Sequence, residues 1–320
     1  MFALNKLLRP LLSNVFIALN IDNGSCFVRI LRQRESCVLE EVDREFRIFD
    51  ERLPVEVVKF IKSYKRCHPF SYIGLIAKSP MQGVIDMANQ DPFTSVELSS
   101  KECKILPIKD WGVYIRKCEI VDIQKHFARL GGVDYIFSPF VVMYHTLQEA
   151  LDSKLRLYVL LERSQVALMV ANEGGAYFGG VFAITHQTES GTPQGLSELG
   201  DLGLDDEMHA LEGLENLGLG GGIEEELDEE VQMEDVSQII EDITNASALS
   251  DIIHGALGEF YANDSYEEGF VEEIVFLDNI GVSQDILSYI HEAVLLDVQR
   301  RSFCVQEALL QMMQQEFVRK

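Results

Sequence analysis

The stretch Phe16-Ile17-Ala18-Leu19-Asn20-Ile21-Asp22-Asn23-Gly24-Ser25-Cys26-Phe27-Val28-Arg29-Ile30-Leu31 decides how the rest of the chain is read. Two apolar runs flank Ile21-Asp22-Asn23-Gly24-Ser25, the pattern of a strand, a tight turn and a returning strand. Gly24 supplies the positive φ that such a turn often requires, and its bare backbone allows close approach by a ligand. Asp22 leaves a buried strand at the turn, where a carboxylate suits a hydrated Mg²⁺ while the amides of Gly24 and Ser25 face a phosphate. The same residues also spell an ordinary β-hairpin with an Asx-type turn. The two readings part only on whether the rest of the chain supplies the other half of a nucleotide site.

With 320 residues, 47% hydrophobic and 25% charged, the chain has enough apolar material for one large core or two domains. No apolar run reaches the ~18–20 residues of a membrane span. The opening residues lack the small-residue cleavage site of a secretory signal, so a cytoplasmic protein is expected. Six cysteines, at 26, 37, 67, 103, 118 and 304, form no CxxC pair, and the seven histidines form no HxxxH or Cys/His cluster. Reduced, mostly buried thiols and no metal site are expected. None of the 27 Lys and Arg residues lies between Ser164 and Gln299, a window that holds 30 of the 52 acids, leaving 27 − 22 = +5 for the remainder. A net of −30 over that window excludes nucleic acid as its partner.

In Met1–Asn14, Leu4, Leu7, Leu8 and Leu11 fall at helical spacing with Lys6 and Arg9 opposite, and Pro10 limits any helix to two turns. This segment reads as an interfacial contact for an anionic membrane or a partner, or as an end that packs on the domain. After the first hairpin, Ser36–Ile48 reads as a third strand and Pro54 opens a helix through Tyr64. Tyr72–Ala77 is a wholly apolar central strand, and Asp110–Ile120 alternates as another. A helix over Val121–Leu130 ends at Gly131-Gly132, and a strand and helix follow over Tyr135–Leu151.

From Arg156 the opening plan returns. Strands are expected over Leu157–Leu161, Gln165–Ala171 and Ala176–Ile184, joined by Glu162-Arg163-Ser164 and Asn172-Glu173-Gly174-Gly175. Repetition about 140 residues later points to two similar α/β halves. Thr185–Val236 then combines Gly-Leu pairs with acidic runs, the composition of a disordered insertion. Beyond it come a helix from Ser237 to about Tyr261, a strand over Glu273–Leu277, a helix from Ser283 through Ala293, and a last amphipathic helix over Ser302–Val318.

The order of elements and the motif Ile21-Asp22-Asn23-Gly24-Ser25 with Val28-Arg29-Ile30 resemble the actin-like ATPase fold. The likeness is to the PilM type of pilus-assembly protein and the cytoplasmic part of the L component of type II secretion. The resemblance implies an α/β, ribonuclease H-like fold of two lobes, interrupted by the acidic disordered insertion, which it does not cover. Its expected divisions are residues 1–14, a first lobe 15–151, a second-lobe hairpin sheet 152–185, the insertion 186–236, and the rest of the second lobe 237–320. It further implies a nucleotide site drawing on Asp22, Gly24, Ser25, Glu162, Ser164 and Gly281. In such families the second hairpin turn carries another Asp-x-Gly, where this chain has Glu162-Arg163-Ser164. The adenosine-side loop usually has a Gly-Gly pair, where Asp278-Asn279-Ile280-Gly281 has one glycine. Ser164 adds a Cβ where backbone would close on phosphate.

Motifs of other chemistries are absent: GxxxxGK[ST], GxSxG, HExxH and a Gly-rich dinucleotide fingerprint. The expectation is therefore a cytoplasmic scaffold, peripheral at the inner membrane, for a type IV pilus, type II secretion or DNA-uptake apparatus. It would act through an extended peptide of a membrane partner, with no catalytic residues, no required cofactor, no nucleic acid, and room for an oligomer. The alternative is an actin-like ATPase that binds Mg-ATP and drives assembly by lobe closure.

Overall fold

The computed structural model describes residues 12–49, 52–87, 101–184, 246–262 and 269–319. Leu4, Lys6, Leu7, Leu8, Arg9 and Leu11 lie outside these residues, as does the insertion 186–236. All described residues belong to one compact unit, Met1–Thr185 with Ile243–Lys320.

The chain begins with β1 (Asn14–Asp22), β2 (Ser25–Arg34) and β3 (Cys37–Arg47), followed by α1 (Val55–Cys67) and β4 (Ser71–Ile76). Next come β5 (Gln82–Asp86), β6 (Cys103–Ile108), β7 (Trp111–Arg116), α2 (Lys117–His126), β8 (Tyr135–Phe137) and α3 (Pro139–Leu147). The second half comprises β9 (Arg156–Leu161), β10 (Gln165–Asn172), β11 (Gly175–Ala183) and α4 (246–261). It closes with β12 (Glu273–Asp278), α5 (Gln284–Val294), β13 (Asp297–Ser302) and α6 (Val305–Arg319).

Two five-stranded sheets have the same plan. The first has the order β3-β2-β1-β4-β8 and the second β11-β10-β9-β12-β13. In each, three strands meander antiparallel and two more join in parallel through crossovers. The composition of the strands follows from their place. β1 is central, covered on both faces, and Val15 to Leu19 are all buried. β3 is outermost and carries alternating charges.

The helices tie the halves together by exchange. α6, from the end of the chain, packs on β1 and β4 of the first sheet, while α3 packs on β9, β10 and β11 of the second. The two helices also touch each other. Phe16, Ala18 and Phe140 therefore share one apolar core with Leu160, Met169, Leu309 and Met313. Gly74 on β4 makes the α6 contact fit, because a Cβ there would lie 2.5 Å from the Met313 sulfur. Each fully buried side chain of this size stabilises the fold by ~1.5–3 kcal/mol relative to exposure. α1 covers the outer face of the first sheet through Val57, Val58 and Ile61, and α4 and α5 cover that of the second through Ile253, Phe260, Leu287 and Ile290.

Several boundaries differ from the sequence reading. The strand expected over Asp110–Ile120 stops at Arg116, because its partner β6 begins at Cys103, paired with Arg116, and Lys117 already starts α2. α2 ends at His126, and a short 3-10 turn, Ala128–Leu130, leads to Gly131 at φ 88°. The helix from Pro139 ends at Leu147, and the last helix starts at Val305 because Asp297–Ser302 forms β13 on a sheet edge. A separate antiparallel sheet, β5-β7-β6, was not expected; β5 lies against β11.

Candidate functional site

The carboxyl ends of the parallel strands β1, β4, β9 and β12 emerge together, the place where open α/β sheets bind ligands. The first hairpin turn has Asn23 at φ 38° and Gly24 at φ 74°, two successive positive values that match the twist of the flanking strands. The Gly24 carbonyl accepts the Ile48 amide at 2.6 Å. Ser25 turns away from the strand ends, donating its hydroxyl to Glu45 Oε1 on β3 at 2.7 Å.

Asp22 is 2% exposed, and both of its oxygens are engaged by the second hairpin turn. The Arg163 amide donates to Oδ2 at 2.8 Å, while the Ser164 amide and hydroxyl donate to Oδ1 at 3.0 and 2.6 Å. One turn thus caps the other across 141 residues of chain. Ser164, where the resemblance expects glycine, contributes its hydroxyl to that cap.

Glu162 is 1% exposed and sits in a second layer of contacts. Its Oε1 accepts from Asn20 Nδ2 at 2.7 Å and from Lys78 Nζ at 2.8 Å, and its Oε2 accepts from Gln165 Nε2 at 3.0 Å. Lys78 Nζ is also 3.8 Å from Asp22 Oδ1. One ammonium therefore bridges two buried carboxylates, supplying the counter-charge that burial demands. Asn20 Oδ1 and Gln82 Oε1, both buried, have no hydrogen-bond partner among the described residues.

The third loop follows β12, whose Asp278 pairs in register with Leu161, so it emerges beside Glu162. Asp278 Oδ1 accepts the amides of Ile280, Gly281 and Val282 at 3.1, 2.7 and 3.0 Å. Asn279 Oδ1 accepts the Val305 amide at 3.0 Å, which ties the loop to the start of α6. Gly281 has φ 84°, and its missing Cβ faces open space. Ser283 caps α5 through the Ile286 amide.

Of the six residues named from the sequence, Asp22 and Ser164 are in direct contact, and Lys78 joins Asp22 to Glu162. Gly24 shapes the first turn, Ser25 bonds to β3, and Gly281 belongs to a loop closed on its own aspartate. Sequence reasoning missed Asn20, Lys78 and Gln165. Lys78 carried a signal, since it directly follows the apolar run Tyr72–Ala77 at a strand's carboxyl end. Among the described residues, no three His, Cys, Asp or Glu side chains converge as a metal-ligand set.

Two family models match the sequence: "Domain of unknown function (DUF8569)" over residues 12–144 and "Domain of unknown function (DUF8341)" over residues 157–318, half of the chain. The gap between them, residues 145–156, runs from the last turn of α3 to the first residue of β9, where the structural plan repeats. No curated protein matches the sequence. Solved structures do. The PilM-PilN type IV pilus biogenesis complex aligns with a TM-score of 0.51 and 11% identity, covering 92% of this chain and 89% of that one. A Bacteroides thetaiotaomicron protein with an actin-like ATPase fold and unknown function aligns at 0.48 and 8%, covering 93% and 96%. A Cytophaga hutchinsonii exopolyphosphatase aligns at 0.41 and 7%, covering 95% and 98%. The chain has the actin-like α/β fold in two lobes.

Proposed function

We propose, for a chain that belongs to the family described as Domain of unknown function (DUF8341), a role in assembling a membrane apparatus through protein contacts and without nucleotide turnover. The observation that carries this reading is the engagement of Asp22 by the Arg163 and Ser164 amides and the Ser164 hydroxyl. A carboxylate that orders Mg²⁺ through water needs lone pairs free, and here three donors occupy three of its roughly four acceptor sites. Phosphate binding needs amides pointing outward, whereas those of residues 280–282 converge on Asp278. On this reading the residues present do not fit Mg-ATP.

The apparatus comes from the fold neighbour. The aligned complex is one of type IV pilus biogenesis, and a pilus-assembly role is carried to this chain as part of the proposal. On this reading the lobes form a fixed platform, latched through Asp22, Lys78 and Glu162, that holds an extended segment of a membrane partner. No described helix is long and apolar enough to cross a membrane. The proposed location is the cytoplasmic face of the inner membrane, with Leu4, Lys6, Leu7, Leu8, Arg9 and Leu11 as the contact.

Two titrations test the reading. Thermal melting of the full chain should be unmoved by Mg-ATP or Mg-ADP, whereas saturable stabilisation would return the ATPase alternative. Fluorescent peptides from the cytoplasmic ends of the same cell's inner-membrane pilus and secretion subunits should include one that binds saturably. Failure of every such peptide would remove the scaffold role.

A further inference from the structure

The outer edge of β3 is the longest strand edge in the molecule that no other strand pairs among the described residues. Its inner side is spent on β2. Ile48 donates its amide to Gly24, and the pairing continues in register as Ser25 with Arg47, Cys26 with Phe46, and on to Arg32 with Glu40. Inward bonds alternate along an antiparallel pair, so the amides and carbonyls of Ile48, Phe46, Arg44 and Val42 face β2. Those of Arg47, Glu45, Asp43 and Glu41 face outward. The ladder slips between Arg32 and Gln33, which leaves Leu39 as the extra residue and ends the regular edge at Glu40.

The side chains divide by the same alternation. Val42 and Phe46 lie with Glu40 and Arg44 on the face over α1, where Phe46 and Arg44 stack on Phe60 and Glu40 accepts from Tyr64; beyond the slip, Val38 pairs with Gln33 and falls on the other face. Glu41, Asp43 and Glu45 form an acidic row on the opposite face. The side chains of Glu41 and Asp43 are 48% and 63% exposed, and one guanidinium, Arg29, serves both at 2.6 and 3.5 Å. Three acids in cross-strand reach thus sit on the residues whose backbone faces outward.

A second copy of the chain fits this edge poorly. Antiparallel self-pairing about Asp43 sets Asp43 against itself and Glu41 against Glu45 twice, with no opposite-charge pair among residues 40–46 to offset them, and like charges opposite one another are unfavourable. A strand of the opposite sign fits well. We propose that β3 is a docking edge for an extended segment alternating basic and apolar residues, which adds a sixth strand to the first sheet. Its basic side chains face Glu41, Asp43 and Glu45, and its apolar ones continue the Val42 and Phe46 face. Main-chain hydrogen bonds hold it, and the charge row sets its register. This names where the peptide of the assembly role above would sit, and it rests on that reading only for the identity of the partner.

The test uses the full chain and a fluorescent peptide, Lys-Val-Lys-Thr-Lys-Val-Lys-Thr, against a control of the same composition with its lysines in one block. At physiological salt, exposed long-range charge is largely screened, so the net charge of −25 does not mask the edge. Asp43→Pro removes one outward amide and leaves the inward ladder intact, since proline is tolerated where the amide faces solvent. Glu41→Gln/Asp43→Asn neutralises two of the three charges at exposed side chains and leaves the Ser25–Glu45 bond in place. The expected result is 1:1 binding of the alternating peptide at least ~10-fold tighter than the control, lost in both variants while their thermal melting stays near wild type. Equal affinity for the two peptides, or undiminished binding by Asp43→Pro, overturns the proposal. So does a dimer of the wild-type chain that Asp43→Pro converts to monomer, which would place a second copy on the edge. None of these outcomes bears on nucleotide titration, so the two claims fail separately.

Discussion

Replacing Asp22 by alanine distinguishes a latch from an open metal site by the sign of its effect. The carboxylate is 2% exposed and accepts three hydrogen bonds, from the Arg163 amide and from the amide and hydroxyl of Ser164. Hydrogen bonds to a charged group each contribute ~1.5–3 kcal/mol. Arg163 is exposed and Ser164 half-buried, so water replaces part of what is lost, and a net cost of about 3 kcal/mol remains after that recovery. Losing the attraction of Lys78 Nζ, 3.8 Å away, adds to it. Urea unfolding with a slope of ~3 kcal/mol/M would register this as a midpoint about 1 M lower. Ser164→Ala, which removes only the hydroxyl bond, should lower it by about a third as much. In an open site the arithmetic reverses: Asp22 and Glu162 repel each other without a cation, and deleting one stabilises the magnesium-free protein. A midpoint for Asp22→Ala equal to or above wild type would refute the latch.

Other sites give independent checks. Arg156 donates to Asp152 at 2.5 and 2.9 Å and also to Glu273, and the first of these pairings holds the Asp152 carboxyl down to about 2. A carboxyl lowered on folding stabilises above its unfolded value near 3.8 and loses that contribution as pH falls toward about 2. A carbon-detected titration should place Asp152 near 2, and Arg156→Ala should return it to the ordinary range. The thiols are not mostly buried as expected: Cys37, Cys67 and Cys118 are exposed, while burial pushes the Cys26 thiol up to about 12, so the native protein should yield those three to a thiol reagent at pH 8 and withhold Cys26 until it unfolds. Gly281→Ala, at φ 84° with open space beyond its Cβ, meets backbone strain and no clash; a loss of about 1 kcal/mol in urea unfolding is expected.

Local signals carried the hairpins. Asn23-Gly24 and Glu162-Arg163-Ser164 sit between runs of apolar residues, and β1, β2, β9, β10 and β11 appear where those runs lie. Ser283 before an amphipathic segment placed α5 to within a residue. Elements made by long-range pairing were illegible. β13 reads Asp-Val-Gln-Arg-Arg-Ser, which lacks a strand's composition, and becomes one because β12 offers it a ladder. β5 and β6 gain their pattern only against β7. At the site, the sequence pointed to Asp22, Glu162 and Ser164 but not to their mutual contact, because nothing local couples residues 141 and 142 positions apart. Asn20 and Gln165 read as ordinary polar interruptions of strands, and only the buried carboxylate between them gives them a role.

The central proposal, assembly without nucleotide, is tested most directly by calorimetric titration of Mg-ATP into the full chain, with Asp22→Ala beside it. The predicted result is no saturable heat for wild type up to about 1 mM, a standard free energy weaker than roughly −4 kcal/mol. Saturable, magnesium-dependent binding at ~10 µM or tighter, abolished by Asp22→Ala, would contradict it and make the two hairpins a working phosphate site.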